Sequence, residues 1–496
     1  MAKPKQFTKP PKKEKAKAKV PVTADDFQEA ADFEEETGGK WRAGDPAKSG
    51  RAFMRALEIY ENGVEKHPDN FDLAYNKARL ELEITQQPTL VEHVGVPLVD
   101  LLNDALQAHR HAMRLNEENV DVLFNTSQVL LAMAEYAAET DETEDAVAAL
   151  QEALEILSNC LSRQESMLEQ QRQEWQDNED GGVALNPDAK ASSSTGSDNA
   201  TEQAVTIEHA VQPSDLLDTV DASLSALTQL ASMSDPDGLP TLGGMAQDLI
   251  EKKTPTYLAL LPEEKQTEAR STIDLSRAKF VSGYGDARYN YNMIDLDSYV
   301  ESLNAFDMAS KSAASMEAEA TAKTELVLSV FDRYPESPDL PAGICWQQAT
   351  QASGLIAKAA STDLSDAMPK DADHYKRKGD IELLRFRVAF SRSPNVPESA
   401  RKSVKTLLTN AETYYEGASK HATAKQDKPL ATQMQQRAVI AGWCKHCLSG
   451  PSPAAAYPRS RLPASSMATL ASELDDLGVE GFLDAPTISE MQEGLN

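Results

Sequence analysis

Trp443-Cys444-Lys445-His446-Cys447 is the stretch whose residue types and spacing come nearest to chemistry. Two thiols two residues apart suit dithiol–disulfide exchange, provided the first is a thiolate at neutral pH. That requires a helix N-terminus, where the dipole favours the anion, fed by a β-strand. Here the pair follows Ala438-Val439-Ile440 at the C-terminal end of a helical run, and no strand–helix–strand pattern surrounds it. A zinc site needs a second Cys or His pair, and none lies nearby. His109 and His111 flank Arg110, with His93 upstream. Helix positions i and i+2 point about 200° apart, so the two imidazoles do not converge on one ion. His109 reads instead as a packed imidazole. Gly283-Tyr284-Gly285 lacks the Lys-Ser/Thr partner and the preceding strand of a phosphate cradle, and reads as a turn between helices. No nucleophile–base arrangement emerges. The chain reads as nonenzymatic, with no cofactor, no metal and no small-molecule substrate.

The elements that carry these residues are all of one kind. Of 496 residues, 41% are hydrophobic and 26% charged, enough apolar content for packed cores. Ala, Leu and Glu dominate the long stretches, which favours an all-α chain. No signal peptide is recognisable, and no apolar run approaches the ~18 residues of a membrane span. Four cysteines in so long a chain argue for a reducing compartment, cytoplasmic and/or nuclear. The net charge of −30 conceals an asymmetry. Residues 1–20 carry eight lysines against Glu14, or +7, so the remainder carries −30 − 7 = −37. Such a body repels nucleic acid and membranes and attracts basic proteins.

One helical phrase is written twice between Arg51 and Leu131. The first copy places Ala56, Tyr60, Gly63 and Pro68 ahead of Asn70, and the second places Ala105, His109 and Ala112 ahead of Asn119. A new helix follows each, with Ala78 in one and Ser127 in the other at the same small-residue slot. This pattern resembles the tetratricopeptide repeat (TPR) family, a helix–turn–helix unit of about 34 residues. The small residues let helices approach and the large one fills the groove between them. Glu117 stands where the family has proline, and Ala74 and Leu123 where it has tryptophan. The resemblance implies a TPR-like helical-hairpin solenoid.

Taken in order, residues 1–23 form a disordered basic tail, usable as a nuclear address or a weak RNA contact. Residues 24–176 hold the repeats. Order begins at Thr23-Ala24-Asp25-Asp26, a helix cap, and Gly38-Gly39 weakens the first helix before a turn at Gly44-Asp45-Pro46. Residues 86–97 insert an apolar segment of about 15 extra residues relative to the repeat period. Residues 177–208 are a disordered Ser-rich linker, and 209–449 continue with degenerate helical repeats that include 262–284 and 295–331. Residues 450–496, punctuated by prolines, read as a mostly flexible tail.

In the TPR family the second, fifth and sixth positions of the first helix line the concave surface. The resemblance therefore implies a protein-binding groove of Asp72, Tyr75 and Asn76 with Asp121, Phe124 and Asn125. The two asparagines match the family's contact to a bound peptide backbone. Co-chaperones that grip the acidic tail of heat-shock proteins use Lys and Arg at the second and sixth positions, and this chain has Asp72 and Asp121 at the second. A basic tail, an acidic groove and an acidic body resemble dedicated escort chaperones for ribosomal proteins or histones. The competing expectation is a TPR adaptor within a multiprotein complex, or a heat-shock co-chaperone, with acidity serving solubility alone.

Overall fold

Four helices of the first unit begin where a side chain replaces a missing backbone partner. Thr23 Oγ1 accepts from the Asp26 amide at 3.1 Å, while Asp26 Oδ2 accepts from the Thr23 amide at 3.1 Å. This reciprocal pair starts α1 (Ala24–Trp41). Asp45 accepts from the Lys48 amide at 2.9 Å and Pro46 opens α2 (Pro46–Lys66). Asn70 and Asn119, the asparagines of the repeated phrase, accept from Leu73 at 2.9 Å and Val122 at 3.0 Å. They start α3 (Phe71–Thr85) and α6 (Val120–Glu139). Between these lie α4 (Pro88–Val94) and α5 (Leu98–Leu115), and α7 (Thr143–Glu179) follows.

The computed structural model describes residues 20–179, 210–308, 310–335, 337–361, 364, 366–448, 456–462 and 467–495. Most of the basic tail and the linker beyond residue 179 lie outside them. The chain divides into two compact units, residues 1–167 and 168–496. Among the described residues every regular element is helical, and no helix is long and apolar enough to cross a membrane.

In the first unit α1 pairs with α2 and α3 with α5, forming TPR-like hairpins. The repeat positions behave as packing positions. Ala56, Tyr60, Ala78, Ala105, His109, Ala112 and Ser127 are fully buried. The apolar insert is an element of its own, α4, whose Leu90 packs with Phe53, Leu80, Ile84 and Leu101. Gly38 does not weaken α1. A Cβ there would lie 2.6 Å from Phe53 Cε1, so the absent side chain is what lets α2 close on α1.

The second unit contains α8 (Pro213–Met233), α9 (Leu239–Asp248), a π-helical turn (Leu249–Lys253) and α10 (Thr254–Leu258). Then come α11 (Glu263–Asn290), α12 (Leu296–Ser302), α13 (Ala313–Arg333), α14 (Ala342–Ala359), α15 (Ala372–Phe390), α16 (Glu398–Ala424) and α17 (Lys428–Cys447). It closes with α18 (Ala456–Arg461), α19 (Met467–Val479) and α20 (Ala485–Leu495). Helix α8 packs on α11, α13 on α14, and α16 on both α15 and α17. The pattern over 295–331 is not one helix but α12 and α13. The second restarts at Ser312, whose Oγ accepts from the Ser315 amide at 3.1 Å.

One reading changes here. Gly283 and Gly285 lie inside α11, not in a turn. A Cβ on Gly285 would sit 2.5 Å from Ser302 Oγ, so the glycine admits α12 instead of bending the chain. Beyond residue 450 the described stretches are helical, and Leu470, Leu474 and Leu477 are fully buried. Their anchor is Arg437 of α17, itself fully buried. It donates to Glu473 at 2.5 Å and Glu480 at 2.7 Å from the C-terminal stretch, and to Asp380 of α15 at 3.0 Å. Arg437 lies 36 residues upstream of Glu473 in the chain.

Candidate protein-binding groove

The six groove residues share one face of α3 and α6, fixed by helical spacing. Leu73, Ala74 and Ala78 on α3, and Val122, Leu123 and Thr126 on α6, are buried. Turning each helix so that these face the core leaves Asp72 and Asp121 exposed and Tyr75, Asn76, Phe124 and Asn125 half-buried. Tyr75 stacks on Phe71 with ring centroids 5.8 Å apart. Asn125 Nδ2 donates to the Tyr75 hydroxyl at 3.4 Å, which joins the face of α6 to that of α3. Burial raises the Tyr75 pKa first, and the Asp121 carboxylate raises it further. Tyr75, Asn125 and Asp121 are thus brought together.

Asn76 is turned the other way, toward α1. Its Nδ2 donates to Gln28 Oε1 at 3.1 Å. Each asparagine therefore spends an amide N–H on a neighbouring hairpin. As a result the two amides act first as inter-repeat ties, each with one N–H already committed.

A polar network continues from Gln28 that sequence spacing did not single out. Gln28 Nε2 donates to Asp32 at 2.7 Å, and the buried Tyr60 donates its hydroxyl hydrogen to Glu35 at 2.7 Å. Arg79 of α3 donates to Glu35 at 2.6 Å. Burial, then the hydrogen bond to Glu35, pushes the Tyr60 phenol far above its ordinary range. The available signal was the i, i+3, i+4 run of polar residues on α1, which also fits plain solvent exposure. Adjoining this network through Asp32, a concavity of about 1000 Å³ along α1 is lined by Asp26, Glu29, Asp32, Glu34 and Glu36, with Phe33 66% exposed among them. Of these acids Glu34 pairs with Arg55 and Glu36 with Lys40.

The other chemical candidates resolve differently. His109 is fully buried, its Nδ1 2.8 Å from the Ala105 carbonyl, and burial lowers its pKa. Cys444 and Cys447 occupy the last turn of α17. Burial raises both thiol pKa values, and Cys444 Sγ lies 3.6 Å from Met491 Sδ. A pair held as thiols is poorly suited to nucleophilic exchange.

No family model matches the sequence. A UPF0656 protein of Schizosaccharomyces pombe is 35% identical over 172 residues, which cover 34% of this chain and 37% of that protein. The matched stretch is thus little more than a third of that relative. Among solved structures, a circular tandem repeat protein aligns over 95% of this chain and 96% of its own at 12% identity and a TM-score of 0.25. Yeast Tom70 aligns over 90% of this chain and 99% of its own at 11% identity and a TM-score of 0.16. Superpositions this loose assign neither a partner nor an activity.

Proposed function

We propose that this chain is a nonenzymatic protein-binding scaffold that escorts a Lys/Arg-rich client, of the ribosomal-protein or histone type, in the cytoplasm or nucleus. The observation that carries the reading is the occurrence of exposed Asp72 and Asp121 on the same helix faces as half-buried Tyr75 and Phe124. Carboxylates at the second position of both first helices attract lysine and arginine and repel a carboxylate-terminated peptide, which argues against the heat-shock co-chaperone. The rings give the aliphatic stems of those side chains a surface to lie on. The acidic lining along α1 and the net charge of −30 extend the attraction beyond the groove. Screening a client's cations is what keeps it off nucleic acid until delivery.

The test is salt-titrated binding of purified basic ribosomal proteins and histones to the full-length chain. The escort reading expects one client to be preferred, with affinity falling steeply as salt rises. It also expects Asp72→Lys with Asp121→Lys to weaken binding by about 100-fold at low salt, from two charge reversals. The adaptor reading expects a stable complex indifferent to salt and to both substitutions, and that result would remove the escort.

A further inference from the structure

A second recess lies on the opposite side of α3. Residues 72, 75, 76, 79 and 83 make the groove stripe, whereas Ala74, Lys77, Glu81 and Ile84 lie about half a turn away. Together with residues of α2 and α5 they line a cavity of about 520 Å³. Its apolar surface comes from Leu57, Val64, Ile84 and Leu101, and its acidic surface from Glu58, Glu61, Glu65 and Asp104. Lys77 is the one Lys or Arg lining it among the described residues.

Glu81 is the residue in this cavity that points to a ligand. It is 8% exposed, and one of its oxygens pairs with Lys77 at 2.8 Å. The other, Oε2, is buried with no hydrogen-bond partner among the described residues. His111 Nε2, on the α5 wall, is also buried without one. A buried carboxylate oxygen lacking a donor bears its full desolvation cost. Burial accordingly raises the Glu81 pKa, with Asp104 and Glu61 adding to the rise and Lys77 opposing it. Lys77 leaves that second oxygen unpaired, and the surplus of carboxylates around it favours a further cation.

We propose that this cavity seats an arginine side chain from a partner polypeptide, its guanidinium donating to Glu81 Oε2 and its methylene stem lying along Leu57, Val64 and Ile84. Arginine fits better than lysine because a planar fork can reach Glu81 and a rim carboxylate at once. The site is separate from the groove. It adds a point of attachment on the other side of α3, so one basic chain passing around this unit meets acidic surface on both sides.

Fluorescence anisotropy with a labelled Gly-Arg-Gly-Arg-Gly peptide and the full-length chain tests this. The measurement is run in wild-type and in the Asp72→Lys, Asp121→Lys background, so that groove binding and cavity binding separate. In that background the peptide should still bind, and Glu81→Gln should lower its affinity about tenfold or more, the loss of one charge-assisted pair. Asp104→Asn should lower it a few-fold. Replacing arginine by citrulline, which keeps shape and removes charge, should abolish binding. Unchanged affinity in a folded Glu81→Gln protein overturns the proposal, as does equal binding of the citrulline peptide. Spermidine binding as tightly as the peptide overturns it in favour of a free polyamine. If Glu81→Gln does not fold, unchanged affinity in Asp104→Asn, altered only at the exposed rim, is decisive. Failure of the Asp72 and Asp121 substitutions to affect client binding would count against the groove alone.

Discussion

The Tyr75 hydroxyl receives a hydrogen bond from Asn125 Nδ2 at 3.4 Å, so the aromatic ring offered by one hairpin is held in place by the next. The groove is therefore a property of two hairpins together. Its polar atoms tie the two hairpins together.

Tyr75→Phe keeps the ring and removes the acceptor. It should cost about 1 kcal/mol of stability, the usual net value of one hydrogen bond, and leave client affinity within about twofold. Tyr75→Ala should lose both. Urea denaturation beside a binding isotherm checks this, and a Tyr75→Phe protein with full stability but no binding would make the hydroxyl a direct client contact.

Gly38 and Gly39 are neighbours in α1 with opposite prospects. A Cβ on Gly39 meets nothing within 4 Å, so Gly39→Ala should stabilise by about 0.5 kcal/mol through lower unfolded-chain entropy. Gly38→Ala drives a methyl into the Phe53 ring, 2.6 Å from the built Cβ, and should destabilise by about 1–3 kcal/mol. Thermal midpoints of the two single variants decide it, and equal shifts would refute the packing role.

His109 gives a pH signature. Burial lowers its folded pKa below the ordinary 6.5, so in mildly acidic solution the unfolded chain binds a proton that the folded chain does not. Stability from this residue is complete above about pH 6.5 and declines as pH falls toward the folded pKa. His109→Leu should therefore lose less stability than wild-type between about pH 7.5 and pH 5.5. Parallel declines in the two proteins would show that His109 does not titrate differently on folding.

Arg437 is fully buried among Asp380, Glu473 and Glu480, and Asp380 also accepts from the Tyr415 hydroxyl at 2.7 Å. Arg437→Met leaves buried carboxylates without their cation and should cost about 3–5 kcal/mol. Limited proteolysis should then cut first between α17 and α19. Retained protease resistance at that segment would mean that Leu470, Leu474 and Leu477 suffice to hold it.

What could be read from the sequence was whatever lies within one helical turn of itself. The Thr23 cap, the turn at Gly44-Asp45-Pro46, the small–large–small packing at Ala56, Tyr60 and Gly63, and the apolar insert around Leu90 are all local patterns. Each has its place in the structure. Pairings across tens of residues were not legible. Nothing near Gly285 in sequence announces Ser302, nothing near Asn76 announces Gln28, and Arg437 gives no sign of its acids. Glycine in particular reads as a turn by default, because its conformational freedom is a local property and its use as a gap for a neighbouring helix is not.

The order of synthesis gives the Arg437 cluster a further meaning. Asp380 is made before the arginine, whereas Glu473 and Glu480 follow it by 36 and 43 residues. A growing chain can stack α15, α16 and α17 while the guanidinium has one protein anion and water for company. Docking α19 supplies the other two, and removes the charge from solvent in one closing step. A chain halted before Glu473 would carry, in the wall of its last hairpin, a guanidinium whose one carboxylate partner is Asp380, with its other N–H groups left to water.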